Sequence, residues 1–286
     1  MSPYGHDVER LEMVHVSGAV RGYLRDNWRR VLLGLLSLSV FVAAWHTYAW
    51  YLDTNDIGTS EYIPYPATVA ETFFESFVTE DPVTRLFMWE HILSSLKRIV
   101  LGFGFALALA LPAGLLMGAH RGAEAVGKPV VEIFRPIPPL AWIPVFLLIF
   151  GLTWGPVAIV FLGIFFPILL NVMFGVRSVD PVLIDAARTL GATKADIFLK
   201  VILPFTLPYL MTGVKVGLGI GWMCIVAAEM LGSVGGGVGY IIFAASGIGR
   251  YDYMYAGMAV IGLLSVLTTG IAGQFEDRLY RWMGMK

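Results

Sequence analysis

Residues 122–129, Gly122-Ala-Glu-Ala-Val-Gly127-Lys128-Pro129, come within one residue of a phosphate-binding loop. That loop ends in Ser or Thr because its hydroxyl holds magnesium on the nucleotide. Pro129 has no hydroxyl, and the run follows an apolar helical pattern rather than a strand. The expectation is a plain turn, in a chain that hydrolyses no ATP itself. His6, His15, His46, His91 and His120 do not cluster, and there is no His-Glu-x-x-His run to hold a catalytic metal. No Gly-x-Ser-x-Gly elbow offers a nucleophile. A single cysteine, Cys224, excludes an internal disulfide and a cysteine-held cluster. The chemistry expected is therefore not catalytic: no catalytic residue, no metal and no cofactor in this chain.

The remaining candidates are polar residues inside apolar runs. Hydrophobic residues make up 57% of the 286 positions and charged residues 14%, against roughly 25% charged in soluble domains. The chain reads as an integral membrane protein, and a charge inside its spans is a functional candidate by default. Arg98, Asn171, Lys215 and Glu229 stand out. Lys215 is close enough to a membrane edge to snorkel out and reads as structural. Asn171 faces a solute path or bonds a neighbouring helix. Arg98, Gly102, Ala106, Ala110, Gly114 and Gly118 recur every fourth residue in one span; Gly213, Gly217, Gly221, Ile225 and Glu229 do so in another. Small residues at that spacing let helix backbones approach closely in lipid. If the two stripes face each other, Arg98 and Glu229 meet at one depth and clamp a gate. Otherwise Arg98 reaches headgroups and Glu229 caps a loop.

The spans that position these residues follow from apolar runs of about 20 residues, or about 30 Å of helix. They cover 31–52, 95–118, a short run 142–151 broken by Pro144, 154–176 with Pro167 inside, 208–230 and 254–274. Residues 1–30 form a basic tail and 31–286 the membrane domain. Gly235-Gly236-Gly237 cannot be regular helix. Most Lys and Arg lie in the N-terminal tail, residues 119–137, residues 176–206 and the C-terminal tail. The positive-inside rule puts these segments and both termini in the cytoplasm. Residues 53–94, rich in Asp and Glu, then face outward.

The longest amphipathic stretch between apolar runs lies in the loop 177–206. Pro181 starts a helix, Gly191 ends it in a left-handed conformation, and Thr193 with Asp196 caps a second helix that Pro204 stops. Asp185-Ala186-Ala187, then Gly191, then Val201-Ile202-Leu203-Pro204 resemble, at matching spacing, the "EAA" loop of ATP-binding-cassette importer permeases. Asp185 replaces Glu and Val201 replaces Ile. The resemblance implies a coupling helix that docks on an ATPase subunit through Asp185, Ala186, Ala187, Gly191, Leu203 and Pro204.

Three further runs are similar to the nitrate/sulfonate/taurine/bicarbonate branch of that family. They are Ser94-Ser95-Leu96-Lys97-Arg98, Arg135-Pro136-Ile137-Pro138-Pro139, and Ala227-Ala228-Glu229-Met230 followed by Gly237-Val238-Gly239-Tyr240. The likeness implies an all-α polytopic membrane protein with six transmembrane helices in a prokaryotic inner membrane. It further implies a second copy of the chain, two ATPase subunits carrying ATP and magnesium, and an extracytoplasmic substrate-binding protein. No nucleic acid is expected. The solute implied is a small anion; a thiamine-precursor-like heterocycle and an ion-coupled secondary carrier are the alternatives.

Overall fold

The computed structural model describes residues 5–81 and 83–283, with side chains from residue 28 onward. Helices dominate, and the chain divides into two units, residues 1–68 and 69–286. In the first unit, α1 (Gly5–Thr54) is one unbroken helix. It runs through the boundary expected at residue 30, because nothing between Gly5 and Thr54 breaks a helix: the segment has no proline. Its apolar stretch, Trp28–Thr54, is long enough to cross a membrane. A short turn returns the chain so that the Tyr65 hydroxyl donates to Asp53 Oδ2 at 3.0 Å.

The second unit holds the packed bundle. It comprises α2 (Pro66–Glu75, from Val69 on), α3 (Met88–Ala119), α4 (Arg121–Phe134), α5 (Ile143–Arg177), α6 (Pro181–Thr189), α7 (Lys194–Ile197), α8 (Leu203–Leu231), α9 (Val238–Gly247) and α10 (Tyr251–Trp282). Five helices of the described residues, α1 included, are long and apolar enough to span. The expected run 142–151 is the short arm of a hairpin within α5. Gly151 has φ +69° and ψ −179°, which no helix contains. Around it Leu147 lies against Gly155 and Ile143 clusters with Ile159, so the short arm runs antiparallel to the long one. Pro144 opens this arm rather than breaking it, since a first-turn proline gives up no needed N–H. The six expected passages thus become five long helices and one short arm.

The long arm of α5 lies between α3 and α8, and glycines bring it close to both. A Cβ on Gly102 would stand 2.5 Å from Val160 Cγ1, on Gly114 2.9 Å from Leu169 O, and on Gly118 2.7 Å from Val176 Cβ. From α8, Gly213 abuts Ile168 and Pro167, and Gly217 and Gly221 abut Ile164. The two small-residue stripes therefore do not face each other: each seats the β-branched ridge of α5 on its own side. Val160, Ile164, Ile168 and Val172 are completely buried there. Dispersion contacts of this density hold helices together where lipid removes the hydrophobic drive.

Two further expectations are corrected. Residues 122–129 lie inside helix α4, with Pro129 in its interior, and form no turn; this short helix has the amphipathic alternation of Val126, Val130 and Ile133 with Glu124, Lys128 and Glu132 to support it. Pro204 does not end a helix. A π-turn over Phe198–Ile202 joins α7 to α8, and Pro204 sits in the first turn of α8. The wider turn accommodates a residue without an N–H, so the helix passes through.

Gly114→Leu should lower the thermal midpoint of the purified protein by an amount corresponding to about 1–3 kcal/mol of overpacking. Gly104→Leu is the control, because a Cβ there has open space in this subunit. Equal midpoints for both variants would contradict the packing of α3 on α5.

Candidate functional site

At the end of the bundle remote from residues 181–202, α3 and α8 come together. Arg98 Nη1 lies 2.6 Å from Glu229 Oε1, with Arg98 6% and Glu229 0% exposed. The pair is part of a larger network. Ser95 Oγ donates to both Glu229 oxygens at 2.9 Å, and the Gly239 N–H donates to Oε2 at 3.0 Å. Arg98 spends its other donors on the carbonyls of Gly236 (2.9 Å) and Val234 (2.6 Å). Three successive backbone N–H groups opening α9 are each taken by a side chain: Gly237 by His91 Nδ1, Val238 by Ser95 Oγ, and Gly239 by Glu229, all at 3.0 Å. First-turn N–H groups lack intrahelical acceptors, so buried ones need such partners.

Gly236 and Gly237 of this loop are required twice over, Gly235 once. Gly235, Gly236 and Gly237 have φ of 77°, 78° and 149°, a region that side chains with a Cβ rarely enter. A Cβ on Gly237 would also stand 2.4 Å from the Glu229 carboxyl carbon, and one on Gly236 2.8 Å from His91 Nδ1. The backbone thus approaches the carboxylate as closely as only glycine allows.

The network continues to the segment before α3. Because Gly237 N–H can only donate, His91 Nδ1 accepts; its Nε2 faces Thr84 Oγ1 at 3.1 Å. The Thr84 hydroxyl donates in turn to Asp81 Oδ2. Burial pushes the Asp81 carboxyl up, but the His91 ring, its Nε2 3.8 Å away, and hydrogen bonds from the Thr84 hydroxyl and the N–H groups of Val83 and Thr84 outweigh it and hold it at about 2.

His91, Ser95 and Arg98 lie at i, i+4 and i+7 of one helix, a polar stripe that helical periodicity makes visible; only Arg98 was singled out from the sequence. Asn171 lies elsewhere, on α5, where its Nδ2 donates to Pro167 O at 2.8 Å. Lys215 has the structural role read for it: its Nζ meets Glu276 Oε2 of α10 at 2.5 Å, a partner 61 residues away in the charged C-terminal segment.

The opposite end carries the 181–202 loop. Asp180 Oδ1 accepts from Val182 N–H at 2.8 Å and caps α6; sequence reasoning assigned the start to Pro181 alone. Gly191 has φ +84°. The N–H of Ala192 bonds Ala187 O at 3.0 Å and that of Gly191 bonds Arg188 O at 2.9 Å, the Schellman pattern. Thr193 and Asp196 then form a reciprocal capping box at the start of α7. Asp185 caps nothing; it pairs with Arg188 at 3.1 Å, both side chains exposed. Ala186 lies on the same helix, and Leu203 and Pro204 open α8 behind the π-turn. The loop is capped at each of its helix ends, and among its exposed charged residues it leaves Val182, Leu183 and Leu190 exposed, Leu190 by 88%. Exposed apolar groups on a fixed frame mark an interaction site.

A bundle of spanning helices, with a braced polar network at one end and a capped loop exposing apolar side chains at the other, is the architecture of a multi-pass membrane protein. Residues 110–281 match the family described as binding-protein-dependent transport system inner membrane component, and the chain belongs to that family. It is 32% identical over 257 residues to the taurine transport system permease protein TauC of Escherichia coli K12, covering 90% of this chain and 91% of that protein. The nitrate import permease protein NrtB of Synechococcus elongatus is 30% identical over 261 residues, 87% of each chain. The fold is shared with the inward-facing MetNI methionine ABC transporter, with a TM-score of 0.57 at 23% identity, over 67% of this chain and 97% of that one. The chain is thus the membrane permease component of an ABC importer in the nitrate/sulfonate/taurine branch; a secondary carrier is not favoured.

Replacing Arg98 or Glu229 by Ala leaves the other charge buried, and each should destabilise the protein by about 3–5 kcal/mol in thermal unfolding. The reciprocal swap, Arg98→Glu with Glu229→Arg, should not recover this. The residue at 229 faces N–H and O–H donors and that at 98 faces carbonyls, so the swapped groups meet the wrong polarity. Full recovery would mean an isolated ion pair. For Asp81 the folded value lies below the usual carboxylate range of about 3.9, so its contribution to stability is present above pH ~4 and fades as pH falls toward about 2. Asp81→Asn should flatten the stability profile over that window; an unchanged profile would remove Asp81 from the network's energetics.

Proposed function

We propose that two copies of this chain form the translocation path of an ATP-driven importer for small oxyanions. TauC and NrtB, permeases of taurine and nitrate systems, support the choice of solute class. ATP and magnesium reside on two separate ATPase subunits, and an extracytoplasmic binding protein delivers the solute. In a bacterial or archaeal cell membrane both termini and the 181–202 loop face the cytoplasm, as the distribution of Lys and Arg supports.

The observation that carries this reading is the 181–202 loop itself. Asp180, the Schellman turn at Gly191 and the Thr193–Asp196 box fix its backbone, while Val182, Leu183 and Leu190 are left for a partner surface. Asp185, Ala186, Ala187, Gly191, Leu203 and Pro204 serve coupling. ATP binding draws the ATPase pair together and displaces the loop. The π-turn passes that displacement into α8, whose far end holds Glu229. The Arg98–Glu229 network is the outer gate, and Asn171 lies on the path within. Coupling of this kind requires two discrete packings that the loop and the solute bias in common.

The test is ATP hydrolysis coupled to uptake in proteoliposomes containing the permease, its ATPase and the binding protein. Gly191→Val should abolish coupling while the protein still inserts, because a side chain at that φ costs about 1–2 kcal/mol. Gly191→Asn should retain much of it, since Asn tolerates the left-handed region. Asp185→Arg, which places like charge beside Arg188, should also uncouple. Normal coupled uptake in both Gly191→Val and Asp185→Arg would sink the assignment of the loop.

A further inference from the structure

Beside the loop-proximal half of α5 lies a cavity of about 390 Å³, walled by Arg135, Ile137, Pro139, Leu162, Gly163, Phe166, Pro167, Leu170, Asn171, Val216 and Ile220. Arg135 is its one charged wall residue and Asn171 its one other polar side chain. A neighbouring cavity of about 590 Å³ shares Arg135 and Leu170, and its other two cations are paired. There Arg177 pairs with Glu124 at 2.8 Å and Lys128 with Glu132 at 3.8 Å. Arg135 has no carboxylate within salt-bridge distance among the described residues.

The surroundings fix the backbone at Arg135, whose side chain is exposed. It caps α4 through its N–H to Val131 O at 2.9 Å, and Pro136, Pro138 and Pro139 follow, restricting the backbone that leads into the short arm of α5. Asn171 uses one amide hydrogen on Pro167 O and keeps a second donor. A guanidinium offers a forked set of N–H donors that fits a planar or tetrahedral oxyanion. Phe166, Leu162, Val216 and Ile220 give the rest of the wall an apolar face, which suits a short hydrocarbon group better than bare water. The volume falls within the roughly 300–1,000 Å³ of small-molecule sites.

We propose that Arg135 and Asn171 form a binding subsite for a small organic oxyanion of the alkylsulfonate type, met after the solute has passed the Arg98–Glu229 network. The proposal rests on the anion-import reading above and adds that this chain, and not its binding protein alone, selects for charge. Arg135 supplies the counter-charge, Asn171 a second donor, and the α5–α8 wall seats the alkyl group.

The probe is ethanesulfonate, with nitrate and choline as comparisons. Binding is measured by titration calorimetry on the permease–ATPase complex in nanodiscs at constant ionic strength; uptake is measured separately in proteoliposomes with the binding protein. Wild type should bind ethanesulfonate more tightly than nitrate and should not bind choline. Arg135→Gln should weaken ethanesulfonate binding about tenfold or more, the usual scale for a lost charged hydrogen bond. Arg135→Lys, which keeps the charge and loses the fork, should bind between wild type and Arg135→Gln, and Asn171→Leu, which keeps the volume, should lose part of the affinity. Uptake of ethanesulfonate with unchanged binding in both Arg135→Gln and Asn171→Leu would overturn the subsite and leave anion import standing. Uptake by wild type with no binding to the complex would do the same. Nitrate bound as tightly as ethanesulfonate would overturn the role of the apolar wall. Absence of uptake of any oxyanion would instead overturn the import reading itself.

Discussion

The structure depends on the long arm of α5 being gripped from both sides. Its buried ridge of Val160, Ile164, Ile168 and Val172 enters grooves made by Gly102, Gly114 and Gly118 of α3 and by Gly213, Gly217 and Gly221 of α8. Contacts this close leave no room for a methyl group. A packed interface of that kind has discrete arrangements rather than a continuum, because any slide moves several Cβ atoms into backbone at once. It is the kind of framework that alternating access requires.

Two polar devices sit at the ends of that framework, and α8 joins them. At one end Glu229 terminates a network reaching Arg98, Ser95 and three N–H groups of the glycine loop. At the other, α8 continues through a π-turn into the doubly capped loop. A helix of 29 residues reaches about 43 Å, enough to connect the two membrane faces. Because Lys215 and Glu276 tie α8 to α10 and Trp222 Nε1 donates to Thr268 Oγ1 of α10 at 2.9 Å, a displacement of α8 carries α10 with it.

Local features were legible in advance. The left-handed Gly191, the Thr193–Asp196 box, the helix opened by Pro181 and the non-helical Gly235–Gly237 all depend on residues within about four positions of one another, so type and spacing determine them. The membrane class followed from composition, since only internally bonded helices satisfy a backbone in lipid. The pairing of Arg98 with Glu229 was reached from stripes assumed to face each other; the contact exists, yet each stripe faces α5 instead. Both residues sit at the same end of antiparallel helices, and that suffices to bring them together once α5 has set the spacing.

What the chain's order of residues determined by itself was the long apolar helices, the Thr193–Asp196 cap and the turns at Gly191 and Gly235–Gly237, because these arise from short-range sterics and hydrogen bonds. What only the tertiary structure decided was which faces meet. The fold of α5 back on itself at Gly151, the passage of Pro204 through a π-turn, the Lys215–Glu276 contact, and the meeting of Arg135 with Asn171 at one cavity all join residues by way of neighbours that spacing does not name. Each is the outcome of competition among long-range packings, where a glycine groove accepts whichever ridge fits it best, and that choice is made by the whole bundle at once.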